Sequence, residues 1–258
     1  MYKHKDFISL SDYTPNEIVE LMDLADQLKK ERKEGNCRPL LQGKTLAMIF
    51  AKSSTRTRIS FEVGIYELGG IGFYLNSNDI QLGRGETVAD TARVMSRYID
   101  GIMIRTYSHN SVIELAKHST VPIINGLTDL EHPCQVLCDL MTVREQKGKL
   151  AGLKMAYIGD GNNMSNSLLH GAALTGMDIA VATPQGYESD PICVSQAQKI
   201  AAATGSKIEI LHDPNEAIRD ADVVYTDTWI SMGQEEEKKE RLAVFNGFTI
   251  DRTMMELA

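Results

Sequence analysis

Apolar positions along this chain switch repeatedly between helical and strand-like spacing. Thr14-Pro15-Asn16-Glu17 is a capping box with proline at the first helical position. Behind it Ile18, Leu21, Met22, Ala25 and Leu28 recur at helical spacing, which predicts a helix of about five turns. Strand-like runs follow at 45–50, 71–75, 101–105 and 121–124, with helical stretches at 59–68, 88–98 and 111–118 and a polar, glycine-containing loop at 76–86. Pro133 opens a further helix carrying Val136, Leu137, Leu140, Met141 and Arg144. A second alternating series has strands at 154–158, 179–182, 207–211 and 223–226. Strands alternating with helices predict an α/β chain of two domains, each a parallel sheet flanked by helices and joined by right-handed crossovers. The short polar break Gln146-Lys147-Gly148-Lys149 is the expected hinge, giving domains 1–147 and 148–258. No internal repeat is visible, and Glu235-Glu236-Glu237-Lys238-Lys239-Glu240 reads as a solvated helical face.

Two domains fit a length of 258 residues. With 27 basic and 35 acidic side chains the formal charge is −8, which argues against a nucleic acid partner. No apolar run approaches the roughly 18–20 residues that cross a bilayer, so no membrane partner is expected. Met1-Tyr2-Lys3-His4-Lys5-Asp6 leads into no signal-peptide core. Cys37, Cys134, Cys138 and Cys193 show no repeated spacing. They read as reduced, and the expected compartment is the cytoplasm.

Four motifs carry candidate chemistry. Ser53-Ser54-Thr55-Arg56-Thr57-Arg58 follows a buried strand and opens a helix. Unpaired N–H groups and the positive end of a helix dipole favour a phosphate there, with hydroxyls and the Arg56 fork to grip it. A plain N-cap followed by solvated arginines has the same pattern. His132-Pro133-Cys134-Gln135 also stands at a helix start. Histidine can donate to a substrate carbonyl and glutamine can fix an amide, although a lone histidine at a cap is more often structural. A metal site of His132, Cys134 and Cys138 lacks a visible fourth ligand.

Gly159-Asp160-Gly161-Asn162-Asn163-Met164 invites a dinucleotide reading. Met164 stands where the third glycine belongs, and Thr183-Pro184 where the ribose-binding acid belongs, so that reading is rejected. Asn163 and Asn166 remain at a strand's C-terminal end, where ligands of open α/β sheets bind. Asp227-Thr228-Trp229-Ile230-Ser231-Met232-Gly233 also follows a strand. Asp227 can face an ammonium group; a turn around a buried tryptophan is the plainer alternative.

Together, Ser54-Thr55-Arg56-Thr57-Arg58 with Ser60-Phe61-Glu62, then Arg105, His132-Pro133-Cys134-Gln135, and Asp227 with Ser231-Met232-Gly233 resemble the transcarbamylases, on the ornithine side of that family. The resemblance runs over essentially the whole chain in order and spacing. It implies transfer of the carbamoyl group of carbamoyl phosphate to the δ-amine of L-ornithine, giving L-citrulline and phosphate, with no metal or organic cofactor. It implies carbamoyl phosphate in domain 1–147, its phosphate on Ser54, Thr55, Arg56 and Thr57. Arg105, His132 and Thr57 would polarise the carbonyl, and Gln135 would hold the amide. Gln81 would serve a neighbouring subunit's phosphate site, which implies a homotrimer or a multiple of trimers. In domain 148–258, Asn166 and the Met232 backbone would take the ornithine α-carboxylate, and Asp227 and Ser231 the α-amine.

The family also carries a His-Cys-Leu-Pro loop near the ornithine side chain, a later arginine, and terminal helices returning to the first domain. No His-Cys pair occurs here and the sequence stops at Ala258. The second domain is therefore expected to be incomplete, and this stretch by itself to have little transferase activity. The alternatives are a transcarbamylase for another amine, or a non-catalytic homologue that keeps the phosphate site. Putrescine would leave Asn166 and the Ser-Met-Gly loop unexplained, and aspartate needs cations that the Asp227 loop does not supply.

Overall fold

The computed structural model describes residues 5–81, 85–230 and 235–258. Two compact units emerge, one holding residues up to Asp12 and Leu21–Cys134, the other Tyr13–Glu20 and Gln135–Ala258. The first helix, α1 (Pro15–Lys33), contributes to both. Its capping box forms as the sequence predicts: Glu17 accepts from the Thr14 N–H at 2.8 Å, and the Thr14 hydroxyl accepts from the Glu17 N–H at 3.3 Å. No described helix is long and apolar enough to cross a membrane.

Unit 1 is built from β1 (Thr45–Phe50), α2 (Thr55–Glu67), β2 (Ile71–Asn76), α3 (Val88–Met95), β3 (Gly101–Arg105), α4 (His109–His118) and β4 (Ile123–Leu127). The strands pair in parallel in the order β2-β1-β3-β4. Both faces of the central strands are covered, so β1 and β3 read as nearly unbroken apolar runs. The pleat sends Ile49, Ile102 and Ile104 into a core with Ala92 of α3 and Val112 and Leu115 of α4. Leu46, Met48, Phe50 and Met103 meet Ile65 of α2 on the opposite face. At the edge, β2 leaves Ile71 59% and Phe73 47% exposed.

Unit 2 takes in all but the first two residues of α5 (Pro133–Lys147). It continues through β5 (Lys154–Ile158), α6 (Asn163–Thr175), β6 (Asp178–Ala182), α7 (Pro191–Thr204) and β7 (Ile208–Leu211). Then come α8 (Pro214–Ile218), β8 (Val223–Tyr225), α9 (Lys238–Val244) and α10 (Arg252–Met255). Its parallel sheet has the order β7-β6-β5-β8. Ala156, Ile158, Ala180 and Ala182 pack with Ala217, Ile218, Phe245, Phe248 and Met254. Small residues on the strands admit the phenylalanine rings, and Phe245 stacks on Trp229 with ring centroids 5.6 Å apart.

Each sheet reverses direction once. In unit 1 the chain leaves β1 for β2 on one side and returns to β3 on the other. In unit 2 it runs outward through β6 and β7 and returns to β8 on the far side of β5. At such a switch point the loops beyond two adjacent strands diverge and leave a crevice at their C-terminal ends, where ligands of open α/β sheets bind. Both crevices fall on motifs singled out from the sequence.

Three elements differ from the sequence expectation by more than two residues at one end. The fourth strand occupies Ile123–Leu127 instead of 121–124. Pro122 has no N–H for a ladder, whereas Asn125-Gly126, which reads as a break, continues the strand. A Cβ on Gly126 would lie 2.6 Å from Met103 Sδ, so glycine is what lets β3 and β4 approach. The second helix starts at Thr55 because Ser54 caps it. The third ends at Met95, where the Arg97 and Tyr98 N–H groups bond three residues back and tighten the last turn.

Candidate functional site

Unit 1 gathers its polar groups beyond the ends of β1, β3 and β4. Ser54, in extended backbone, accepts from the Thr57 N–H at 3.3 Å and caps α2. The Thr55 and Arg56 N–H groups stay in the first turn, without partners inside the helix. Ser54 Oγ also donates to Thr57 Oγ1 at 3.0 Å, and Arg105 Nη1 donates to the same oxygen at 3.4 Å. Because Thr57 Oγ1 accepts both, its own hydroxyl hydrogen points elsewhere and can be donated.

Arg105 ends β3 at a register irregularity, where Gly126 is the extra residue of β4 between Asn125 and Leu127. Bulges beside functional sites re-aim side chains, and this one lies at the switch point. Arg105 is 7% exposed, and its buried Nε has no hydrogen-bond partner among the described residues. Burial lowers its pKa, and the neighbouring Arg56 charge lowers it further. Arg56 forms no ion pair among the described residues, whereas Arg58 is tied to Glu62 at 3.0 Å and lies over the Tyr74 ring. Lys52 pairs with Asp129 at 2.5 Å. The site thus holds two guanidinium groups without a counter-charge at a helix N-terminus, an arrangement that attracts a multiply charged anion.

His132 follows a tight turn in which the Thr128 N–H bonds Glu131 O at 2.8 Å and the Thr128 hydroxyl accepts from the Glu131 N–H at 3.1 Å. The Glu131 carboxylate is buried and accepts from Ser9 Oγ at 2.6 Å, which anchors the turn. Burial, reinforced by the Arg105 charge, pushes the His132 pKa down from 6.5 to about 4. The ring is therefore neutral at physiological pH and can donate a hydrogen bond without adding charge. The Cys134 thiol donates to the Asn125 carbonyl at 3.3 Å. Gln81 is exposed on the loop beyond β2, and no hydrogen bond joins it to these groups among the described residues.

The His132 shift makes stability depend on pH in a definite direction. Between pH 6.5 and about 4 the unfolded chain takes up this proton and the folded chain does not, so stability falls as pH drops through that window. His132→Asn should reduce this loss by up to about 3 kcal/mol. Urea unfolding at pH 7 and pH 4.5 checks it, and equal pH dependence in both proteins refutes the neutral ring.

Unit 2 presents a separate set of groups beyond β5 and β8. Asn162 caps α6, its Oδ1 accepting from the Met164 N–H at 2.9 Å, while its Nδ2 donates to Asp227 Oδ2 at 3.4 Å. Asn162 was not singled out from the sequence; it stands 65 residues from its partner, and only the strand order brings the two together. Asn166 is buried on α6, its Oδ1 accepting the Asp190 N–H at 2.9 Å. Asp227 contributes to raising the pKa values of Asp139, Asp160 and Tyr225, though burial is the largest cause for each. Such a concentration of carboxyl groups favours a cation. Ser231 and Met232 lie outside the described residues.

The glycine motif is explained by its neighbours. A Cβ on Gly161 would lie 2.2 Å from the Glu188 carbonyl carbon and 2.4 Å from the Ser189 nitrogen. The close approach that a dinucleotide fold reserves for a pyrophosphate is taken here by the chain's own backbone. Arg241 secures the same region: Nη1 donates to Asp160 Oδ2 at 2.9 Å and to Trp229 O at 3.1 Å, and Nε donates to Glu237 at 2.7 Å.

Residues 5–145 match the family model described as the carbamoyl-P binding domain of aspartate/ornithine carbamoyltransferase, and residues 151–258 match the Asp/Orn binding domain. The chain is 56% identical over 256 residues to an ornithine carbamoyltransferase of Oceanobacillus iheyensis, covering 99% of this chain and 80% of that one. It is 55% identical over 257 residues to the Carboxydothermus hydrogenoformans enzyme of the same name, covering 100% of this chain and 83% of the relative. Among solved structures, the Pyrococcus furiosus ornithine carbamoyltransferase superimposes with a TM-score of 0.95 at 52% identity, covering 98% of this chain and 81% of that one. The anabolic enzyme of Campylobacter jejuni gives a TM-score of 0.93 at 47% identity, covering 99% and 83%. With both units matched in order and relatives more than half identical over nearly its whole length, the chain belongs to the aspartate/ornithine carbamoyltransferase family.

Proposed function

We propose that this protein transfers the carbamoyl group of carbamoyl phosphate to the δ-amine of L-ornithine, forming L-citrulline and releasing phosphate. The observation that carries this most directly is the pair Arg56 and Arg105, two cations at the N-terminus of α2 that form no ion pair among the described residues. In this reading the phosphate sits on the Thr55 and Arg56 N–H groups, the Ser54 hydroxyl and the Arg56 fork, and on the Thr57 hydroxyl until its one hydrogen turns to the carbonyl oxygen. The neutral δ-amine attacks the carbonyl carbon. Negative charge then grows on the carbonyl oxygen, where Arg105, His132 and the Thr57 hydroxyl donate hydrogen bonds. The bond from carbon to phosphate oxygen breaks, phosphate departs, and the nitrogen loses its proton. No metal or organic cofactor takes part.

For ornithine, the reading assigns the α-ammonium group to Asp227 and Ser231 and the α-carboxylate to Asn166 and the Met232 backbone. Domains 1–147 and 148–258 then bind carbamoyl phosphate and ornithine respectively. A homotrimer, or a multiple of trimers, belongs to the same reading, with Gln81 lent to a neighbour's phosphate site. Its support is the exposed apolar surface of unit 1, where Ile71 and Phe73 of β2 and Tyr66 of α2 face outward. We infer a cytoplasmic enzyme, without nucleic acid or membrane partners.

The direct test is formation of labelled citrulline from labelled carbamoyl phosphate and ornithine. Asp227→Asn should weaken ornithine by about tenfold or more, the scale of one charge-assisted contact, and change carbamoyl phosphate affinity less than twofold. Equal loss for both ligands in calorimetric titrations contradicts the assignment.

A further inference from the structure

Gln135 and Asp139 stand one turn apart on α5 and therefore share a face. Gln135 Nε2 donates to Asp139 Oδ1 at 2.9 Å. A glutamine amide has two ends of nearly equal size but opposite hydrogen-bonding character, and a rotation of 180° about its last bond exchanges them. The carbamoyl nitrogen of the substrate only donates, so it needs the amide oxygen. An ionised carboxylate only accepts, so it holds the amide nitrogen.

We infer that Asp139 is a positioning residue for the transfer: by holding the Gln135 amide nitrogen, it keeps the amide oxygen turned toward the carbamoyl nitrogen. This rests on the reading that Gln135 contacts the carbamoyl group. Tyr225 is near enough to oppose the burial that favours protonation of Asp139, whose Oδ2 makes no hydrogen bond among the described residues. Tyr225 ends β8, and Asp227 follows two residues later. Within unit 2, the orientation of a carbamoyl-binding side chain is thereby linked to the strand that precedes Asp227, the carboxylate assigned to ornithine in the same reading.

A double-mutant cycle with Gln135→Ala and Asp139→Ala tests this, read as the KM for carbamoyl phosphate with thermal melting as a control. Each single change should raise that KM, by about tenfold for Gln135→Ala and about threefold to tenfold for Asp139→Ala. If Asp139 acts through Gln135, adding Asp139→Ala to Gln135→Ala should change KM by less than about twofold, because the group it orients is gone. Effects that multiply overturn the inference and leave the role of Gln135 standing. An unchanged KM in Gln135→Ala overturns both. Tyr225→Phe removes only a hydroxyl, and gives a second reading if Asp139→Ala does not fold. It should raise KM about twofold to threefold in the native background and not at all in Gln135→Ala, and a multiplying effect again overturns the inference.

Discussion

Arg105→Met lowers turnover by about two to three orders of magnitude and leaves the folded state no less stable. The expected loss of activity follows from the proposed role at the growing oxyanion, where one donor of this kind contributes about 3–4 kcal/mol. The expected stability follows from the protein groups that surround the side chain. Arg105 is 7% exposed, is repelled by Arg56, and leaves Nε without a partner among the described residues. Its bond to Thr57 is long, at 3.4 Å. Burial of a charge with so little compensation costs free energy, and a methionine of similar length removes that cost while filling the space. The substitution thus separates activity from stability, as happens where a site is organised for function at some cost to the fold. Turnover at saturating substrates and urea unfolding measure the two sides. Activity within tenfold of the native protein, or a stability loss beyond about 2 kcal/mol, contradicts this account.

Arg241→Met has the opposite outcome, because this arginine is fully matched. Its side chain and that of Asp160 are each 8% exposed and lie 2.9 Å apart. Removing the cation strands a buried carboxylate within the field of Asp227. Breaking one side of such a pair costs about 3–5 kcal/mol, much of it the penalty of the charge left behind. The bond to half-exposed Glu237 adds little, since solvent screens it. Asp160→Asn together with Arg241→Met removes both charges and should recover most of the stability. A loss below about 1 kcal/mol for Arg241→Met, or a double variant no better than the single, shows that the pair is not what holds this region.

Much of this molecule was legible from its residues. The strands β1, β3 and β5 fall where apolar runs predict them, because a central strand of a parallel sheet needs apolar side chains on both faces. The capping box, the Ser54 cap and the helix at Pro133 are local signals, decided within a few residues. The fourth strand was misplaced because the role of Gly126 depends on Met103, which lies on another strand. Asn162, Asp160, Arg241, Asp139 and Tyr225 carry no role that the sequence shows, for the same kind of reason. Asp160 and Arg241 stand 81 residues apart, and nothing near either announces the other. Strand order supplies the missing information. Once β5 is known to lie beside β8, the loops carrying Asn162 and Asp227 must meet at the reversal.

That strand order also fixes a sequence of events during synthesis. β5 emerges from the ribosome with β6 and β7 close behind, but its other neighbour, β8, is made only after roughly 70 further residues. At about 5–20 residues per second, one edge of the nascent sheet stays bare for on the order of ten seconds. An unpaired strand edge is a template for the wrong partner, so this interval is when the growing chain is most open to aggregation. The crevice that holds Asp227 exists only after the interval closes. In the proposed reading, ornithine, whatever its concentration, therefore comes too late to guide the folding of this sheet.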